Sequence, residues 1–461
     1  MIRQKLLIPP LPTEPVDMMQ FWQRPFETIE KLHERYGPIV LMSPDEPQAI
    51  AVTSAAGAQE FFTRPDVFSL RLLKFHPPEN TPIYRLVYGL GSMDHIDHPL
   101  RRPSFVSFFR RDTVRKALDQ LTAQIDAYFD TLELNKTYDM VTLLQHLMGN
   151  VTMNSFFSGF SDDEIYSYWK ETELWVTRCS RFDIEVTEEI DPSTPYGALM
   201  EISERVEARY RAAIAEERQN PGTHPLLHML VSMVINGQPI SDDEVVGHMN
   251  IVVSGSSSAA YALAWAIFFL TQYPDYSAMM REEVNRVCGD DPVTIQHLDA
   301  FDLSMRVLKE SARLMPVASV FIRKALDDTS ICQYEVRKDT MLFCSAYTLH
   351  RQPSVFPEPR RFRPERWIGL TPPPFTYIPF GAGVHQCAGM RWSQLVMRLV
   401  LSRLIQRFSF DLEPGSEVGW KQLVSVVPTG LNIRLKPPSE PFVLNRSGGV
   451  MRDLVDFDEP L

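Results

Sequence analysis

Apolar residues recur at helical spacing through most of the chain. From Phe26 to Tyr36 they fall three and four apart, and the run stops at Gly37, a residue suited to ending a helix. Two short apolar runs follow, Ile39-Val40-Leu41-Met42 and Ala49-Ile50-Ala51-Val52, around the turn formers Ser43-Pro44-Asp45. They predict a β-hairpin. Between residues 113 and 235 helical pattern dominates, with Leu118 to Leu132, Val141 to Phe160, Glu164 to Arg178 and Leu199 to Arg218 as the main segments. Ser241-Asp242-Asp243-Glu244 reads as a capping box that opens a long helix reaching about Tyr273, before Pro274. Trp392 to Phe408 predicts another helix, and Val424–Val427 with Leu431–Leu435 predicts a hairpin around Pro428-Thr429-Gly430. The first 22 residues read as an extended entry and residues 436–461 as an extended tail rich in proline and acid. The predicted fold class is mainly α with small β-sheets.

Composition narrows the picture. No linker, repeat or low-complexity run divides the 461 residues, so residues 23–435 are expected to form one catalytic domain. A hydrophobic content of 44% suffices for a large core. The net charge of −12 argues against a nucleic-acid partner. Cys179, Cys288, Cys332, Cys344 and Cys387 are odd in number and have no CxxC spacing. That argues against a disulfide framework or zinc site and suits a reducing cytoplasm. The longest apolar run, Ala259 to Leu270, is too short for a membrane span and fits a buried central helix.

The chemistry centres on Pro379-Phe380-Gly381-Ala382-Gly383-Val384-His385-Gln386-Cys387-Ala388-Gly389. Glycines let this backbone take positive φ and approach a flat ligand. Cys387 lies just before a helix N-terminus, where free N–H groups favour a thiolate, and a thiolate is a strong axial ligand for haem iron. The pattern F-x-x-G-x-x-x-C-x-G, filled by Phe380, Gly383, Cys387 and Gly389, resembles the haem-binding loop of the cytochrome P450 family.

Further motifs follow the family's order. His98 and Arg102, four apart after Pro99, resemble the H-x-x-x-R helix that bonds haem propionates. Leu308-Lys309-Glu310-Ser311-Ala312-Arg313 resembles its E-x-x-R helix, and Arg363-Pro364-Glu365-Arg366-Trp367 its P-E-R-F segment. The resemblance implies a structural Glu310–Arg313–Arg366 network. It also implies that Arg323 reaches a propionate, as does His385, and that Phe380, Gly381 and Gly389 cradle haem b on Cys387. Val253, Ser254, Val317, Ala318, Val320 and Phe321 would line the substrate pocket. Residues 71–91 would form an access loop over the haem, and Phe182 to Pro195 a lid between two helices.

One motif departs from the family. Its long helix usually carries [AG]-G-x-[DE]-T, whose acid and alcohol relay protons to oxygen. Here Gly255 fits, but Ser257 holds the acid position and Ser258 that of threonine. Serine bonds water yet is a poor proton source at neutral pH. Ser256 to Ser258 also read as small residues that allow close packing.

The resemblance thus implies a P450 fold with haem between the long helix and the cysteine loop. Its reaction would be monooxygenation of an apolar or aromatic molecule, as in secondary metabolism, with electrons from NAD(P)H through a ferredoxin or flavodoxin-type partner. The departure leaves open an atypical P450 that uses peroxide, couples carbons or rearranges its substrate; a haem-binding sensor is the minor alternative. Arg101, Arg102, Arg110, Arg111, Arg115 and Lys116 form a candidate docking patch, though an ordinary basic helix surface explains them too.

Overall fold

The computed structural model describes residues 6–14, 16–45, 48–70, 77–109, 111–157, 160–181 and 184–457. Near the start lie the helices α1 (Met18–Phe21) and α2 (Pro25–Tyr36), then the strands β1 (Ile39–Ser43) and β2 (Ala49–Val52). Gly37 ends α2 at φ 93°, where a side chain would be strained. The predicted hairpin forms, with Ile39 opposite Val52. Next come α3 (Ala55–Thr63), β3 (Phe68–Ser69), α4 (Pro82–Val87), α5 (His98–Phe108), α6 (Arg111–Asp130) and β4 (Thr137–Asp139).

The helical body continues with α7 (Met140–Phe156), α8 (Asp162–Cys179), α9 (Pro195–Gln219) and α10 (Pro225–Val231). The small pair β5 (Val234–Ile235) and β6 (Gln238–Pro239) leads into α11 (Asp242–Gln272), then α12 (Pro274–Cys288) and α13 (Asp302–Leu314). Strands β7 (Val320–Ala325), β8 (Thr329–Ile331), β9 (Tyr334–Val336) and β10 (Met341–Ser345) precede α14 (Ala346–Leu349) and α15 (Met390–Arg407). The chain closes with β11 (Ser409–Leu412), β12 (Gly419–Gln422), β13 (Val426–Thr429), β14 (Asn432–Lys436) and α16 (Met451–Leu454).

α11 is the axis of the molecule. It packs on α4, α7, α8, α9, α12, α13 and α15. Its second half, from Leu263 to Leu270, is fully buried. A helix that is apolar all round needs such neighbours on every side. It is long and apolar enough to cross a membrane, but most of that stretch lies inside the fold. Ser241 caps its start, accepting from the Glu244 N–H. The return bond of the expected capping box is absent, because the Glu244 carboxylate is held by Arg101 and His248 instead.

Residues 77–91 are more regular than an access loop, with α4 laid across α11 and α9. Two glycines permit this crossing. A Cβ on Gly247 would stand 2.0 Å from the Tyr88 carbonyl oxygen, and one on Gly89 would stand 2.4 Å from that of Gly247. Residues 71–76 of that expected loop, and 182–183 of the expected lid, lie outside the described residues.

The main sheet has the order β1-β2-β10-β7-β3, with β2 and β10 parallel. The hairpin expected at 424–435 does not form. β13 pairs with β12, while β14 pairs with β11 and β4. Alternating apolar residues mark a strand but not its partner, and Gly430, at φ 69° against the Glu417 carbonyl, turns the chain from one sheet to the other. The segment after 436, expected as an extended tail, packs onto the body. Met451, Leu454 and Val455 are buried in the main core, and Ser447 bonds Gln272 at the end of α11.

Candidate haem-type active site

The cysteine loop is shaped by two glycines with positive φ. Gly381 lies at 69°, and a Cβ there would touch the Phe321 ring at 3.4 Å. Gly383 lies at 67°, and a Cβ there would stand 2.3 Å from the Phe62 carbonyl oxygen. The Cys387 N–H donates to the Phe380 carbonyl at 2.9 Å, closing the turn, and Gly389 then caps α15. Cys387 is exposed to a cavity beneath α11. Burial pushes its thiol above the ordinary range, while the Gly389 N–H and the Arg102 guanidinium pull the other way. The helix start thus works against the cost of burial at this thiol. A bound metal ion would make it a thiolate, since a coordinating thiol is deprotonated outright.

The cavity has two lobes of about 190 and 470 Å³ that share Cys387, His385, Gly255 and Ala259. Its roof is one face of α11. Ile251, Gly255, Ser258, Ala259 and Ala262 line it at helical spacing. The larger lobe adds Phe61, Phe62, Val317, Ala318 and Phe321, together with Ser425, whose hydroxyl is 3.4 Å from that of Ser258.

Three of the expected pocket residues stand elsewhere. Val253 is buried in the main core, and the Ser254 hydroxyl donates to the Ile251 carbonyl; neither lines the cavity. Each residue turns a helix by about 100°, so both fall off the cavity face. Val320 packs beside the cluster around Phe343. Side chains alternate along β7, and Phe321 and Arg323 take the face toward the cavity.

Four basic side chains converge at one end of the cavity. The His98 and His385 rings lie 4.1 Å apart. His385 bonds the Met93 carbonyl at 3.2 Å, and the Arg323 guanidinium is 3.5 Å from its other nitrogen. Arg323 also donates to the Phe68 carbonyl and lies over the Phe61 and Phe62 rings. Arg102 lines the smaller lobe. Burial, then the neighbouring charges, holds His98 down to about 3. Burial followed by Arg323 brings His385 down to about 4.

No carboxylate pairs with Arg102 or Arg323 among the described residues. His98 Nδ1 and Arg323 Nε are buried and lack any partner. Buried donors of this kind call for an anion. A tetrapyrrole bearing two carboxylates would meet that demand, with Cys387 available to hold its metal.

Ser257 does not line the cavity. Its hydroxyl donates to Glu173 on α8 at 2.6 Å. Glu173 was not expected in the site; an isolated acid in a polar helix carries no motif, and only the packing of α8 on α11 brings it there.

The structural network is complete. Glu310 is buried and accepts from Arg313, Arg366, the Arg363 N–H and Trp367 Nε1, all at 2.8–2.9 Å. The expected docking patch is altered. Arg101 is 9% exposed and pairs with Glu244 at 2.7 Å, so it points into the fold and not to a partner. Arg110 and the side chains of Arg111, Arg115 and Lys116 lie outside the described residues.

Comparison with known proteins agrees with this geometry. A family profile described as Cytochrome P450 matches residues 9–431. The chain is 27% identical over 329 residues to protein LUTEIN DEFICIENT 5, chloroplastic, of Arabidopsis thaliana, covering 65% of this chain and 54% of that protein. It therefore spans about half the length of that relative. Cytochrome P450 139 of Mycobacterium bovis is 27% identical over 336 residues, covering 69% of this chain and 76% of that one. Beta-amyrin 28-monooxygenase of Saponaria officinalis is 26% identical over 270 residues, 55% of each. In fold the chain resembles the haem domain of cytochrome P450DA, with a TM-score of 0.83 at 18% identity over 95% of this chain and 100% of that one. It also resembles a retinoic-acid-bound cyanobacterial CYP120A1, with a TM-score of 0.82 at 21% identity over 94% and 100%.

Proposed function

The chain belongs to the cytochrome P450 family, and from that premise we propose that it is a haem-thiolate monooxygenase acting on an apolar or aromatic small molecule. The observation that carries this reading is one cavity with Cys387 on its floor, Gly255 and Ser258 on its roof and four anion-seeking side chains at its end. Haem b is the proposed cofactor. When bound it would supply oxygen activation at iron, and Cys387 would be the protein ligand to that iron.

The remaining chemistry belongs to the chain. His98, Arg102, Arg323 and His385 would hold the propionates by charge-assisted hydrogen bonds. Phe61, Phe62, Val317, Ala318 and Phe321 form an apolar wall that would orient a greasy substrate and exclude water from it. Ser258 and Ser425 place two hydroxyls on that cavity, where they would hold a water or donate to oxygen. Overall, one O₂, two electrons and two protons would oxidise R–H to R–OH and release one water. The electrons would come from NAD(P)H through a separate ferredoxin or flavodoxin-type protein. Five unbridged cysteines support a cytoplasmic setting.

A second reading keeps the fold and changes the oxidant or the reaction. It is favoured by the Ser257-Ser258 pair, which leaves α11 without a carboxyl group at the oxygen face. Product formation on a panel of apolar substrates separates the two. Product with NAD(P)H, a ferredoxin relay and O₂ is the expected result. Product only with hydrogen peroxide would replace the monooxygenase reading with a peroxide-using enzyme and remove the need for the electron partner.

A further inference from the structure

Behind the oxygen face of α11 lies a polar cluster that the mechanism above does not use. Glu173 Oε2 accepts from the Ser257 hydroxyl at 2.6 Å, and its Oε1 accepts from the Tyr261 hydroxyl at 2.7 Å. The Tyr261 oxygen accepts in turn from Gln145 of α7 at 3.0 Å. Ser257 and Tyr261 are one turn apart on α11, so a single carboxylate spans both. Burial, reinforced by Glu173, pushes the Tyr261 phenol far above its ordinary range, so it stays a neutral donor.

Glu173 takes part in none of the ion pairs among the described residues, whereas Glu171, two residues before it, pairs with Arg205 and Arg209. It is only partly buried, and its Oε2 keeps the contact to Ser257. Ser257, at the end of that contact, is the residue that stands where an acid is expected on this helix.

We propose that Glu173 supplies from α8 the carboxyl group that α11 lacks at Ser257, and that it feeds protons from solvent through Ser257 to the oxygen site. Once protonated from solvent, the Glu173 carboxyl gives its proton to the Ser257 oxygen while the Ser257 hydroxyl, turned away from Glu173, passes its own proton on. Glu173 then regains a proton from solvent, and no electrons move. The final step would pass to a water in the cavity at Gly255, which lines both lobes and where a Cβ would meet nothing within 4 Å. Ser256 and Ser258, the neighbours of Ser257, already line the two lobes. Glu173 acts through Ser257 and does not touch the cavity, so its role is positioning and relay. The carboxyl group rides on α8, the helix that leads into the segment expected to act as a lid, so proton supply would depend on how α8 sits on α11.

The inference rests on the monooxygenase reading, and the test separates the two. Wild-type holoprotein, Glu173→Gln, Ser257→Ala and the double variant Glu173→Gln/Ser257→Asp would be compared with NAD(P)H, a ferredoxin relay and O₂. Glu173→Gln keeps the size of the side chain and one acceptor oxygen but cannot exchange a carboxyl proton. Product per NAD(P)H should fall by about tenfold or more, with a matching rise in released peroxide and a larger solvent isotope effect. Returning the acid to α11 in the double variant should restore product yield to within about twofold of wild type, because the relay needs a carboxyl group and not its helix of origin.

A readout without turnover is the infrared carboxyl spectrum of the holoprotein in H₂O and D₂O during a pH titration. One band should vanish in Glu173→Gln and shift in Ser257→Ala. Unchanged product yield in Glu173→Gln would overturn the proposal. So would a loss that the added aspartate does not restore and that comes with a lower melting temperature, since that is the signature of a contact that only docks α8. Failure of wild type to form product at all would instead strike the monooxygenase reading.

Discussion

Glu310 shows how one residue can hold a distant site in shape. Its two oxygens are wholly buried and take hydrogen bonds from Arg313, Arg366, the Arg363 N–H and Trp367. A buried carboxylate is tolerable only when its lone pairs are filled this way. Arg313 in turn donates to the carbonyls of His350, Pro359 and Arg361, tying α13 to the segment that leads to the cysteine loop. Trp367, where a phenylalanine is expected, adds a donor through its ring N–H. Trp367→Phe keeps an aromatic ring but removes that donor and some buried ring volume, so unfolding by urea should show a loss of about 2 kcal/mol or more, the worth of a hydrogen bond to a charged group plus lost packing. A loss below about 0.5 kcal/mol would mean that Arg313 and Arg366 satisfy Glu310 without it.

Among the elements, α5 and α11 are joined by a buried clamp close to the cavity. Glu244 pairs with Arg101 and accepts from His248 Nε2 at 3.2 Å. His248 Nδ1 accepts from the Leu90 N–H, so the ring is neutral with its proton on Nε2. Burial drives His248 below its ordinary range, in keeping with that tautomer. Burial alone would raise Glu244, but the bonds from Arg101 and His248 outweigh it and hold the carboxyl at about 2, against an ordinary 4.5. The folded state therefore binds this proton less readily than the unfolded chain. Its stabilisation is complete above pH 4.5 and is lost as pH falls toward 2. That gap corresponds to about 3 kcal/mol. Urea midpoints measured from pH 5 to pH 2 should fall more steeply in wild type than in Glu244→Gln, by about that amount. Parallel curves would show that the clamp is not what acid breaks. The variant itself should be less stable by roughly 3 kcal/mol at neutral pH, because Arg101 is left buried with only the partly exposed Asp97 as its carboxylate.

At the scale of the whole molecule, the last segment completes the body on the side away from the cavity. Met451, Leu454 and Val455 enter the main core, and Gln272 at the end of α11 donates to Asn445 and accepts from Ser447. Among the described residues, none beyond Ser425 lines the cavity. Ending the chain at Lys436 should therefore lower stability while leaving haem binding intact. Exposing three buried apolar side chains costs about 5 kcal/mol, which thermal unfolding would register as a clear drop in midpoint. Loss of haem uptake with an unchanged midpoint would contradict this division of labour.

Short-range chemistry was written in the chain itself. The cysteine loop, the His98–Arg102 and Glu310–Arg313 spacings, the cap at Ser241 and the run of helices follow from neighbours within one or two turns. Helix periodicity and glycine conformation act at that range. What the sequence could not assign were partners distant along the chain. Alternation marked β13 and β14 as strands, yet each found another partner than the expected one. Charge density marked Arg101 as surface, yet it is buried against Glu244, 143 residues away. Position in a motif marked Ser257 as part of the oxygen site, yet a turn of about 100° from Ser258 sets it against α8 and the carboxylate of Glu173, 84 residues away. Contacts of that kind arise from the packing of whole helices, and local pattern carries no record of which side chains that packing brings together.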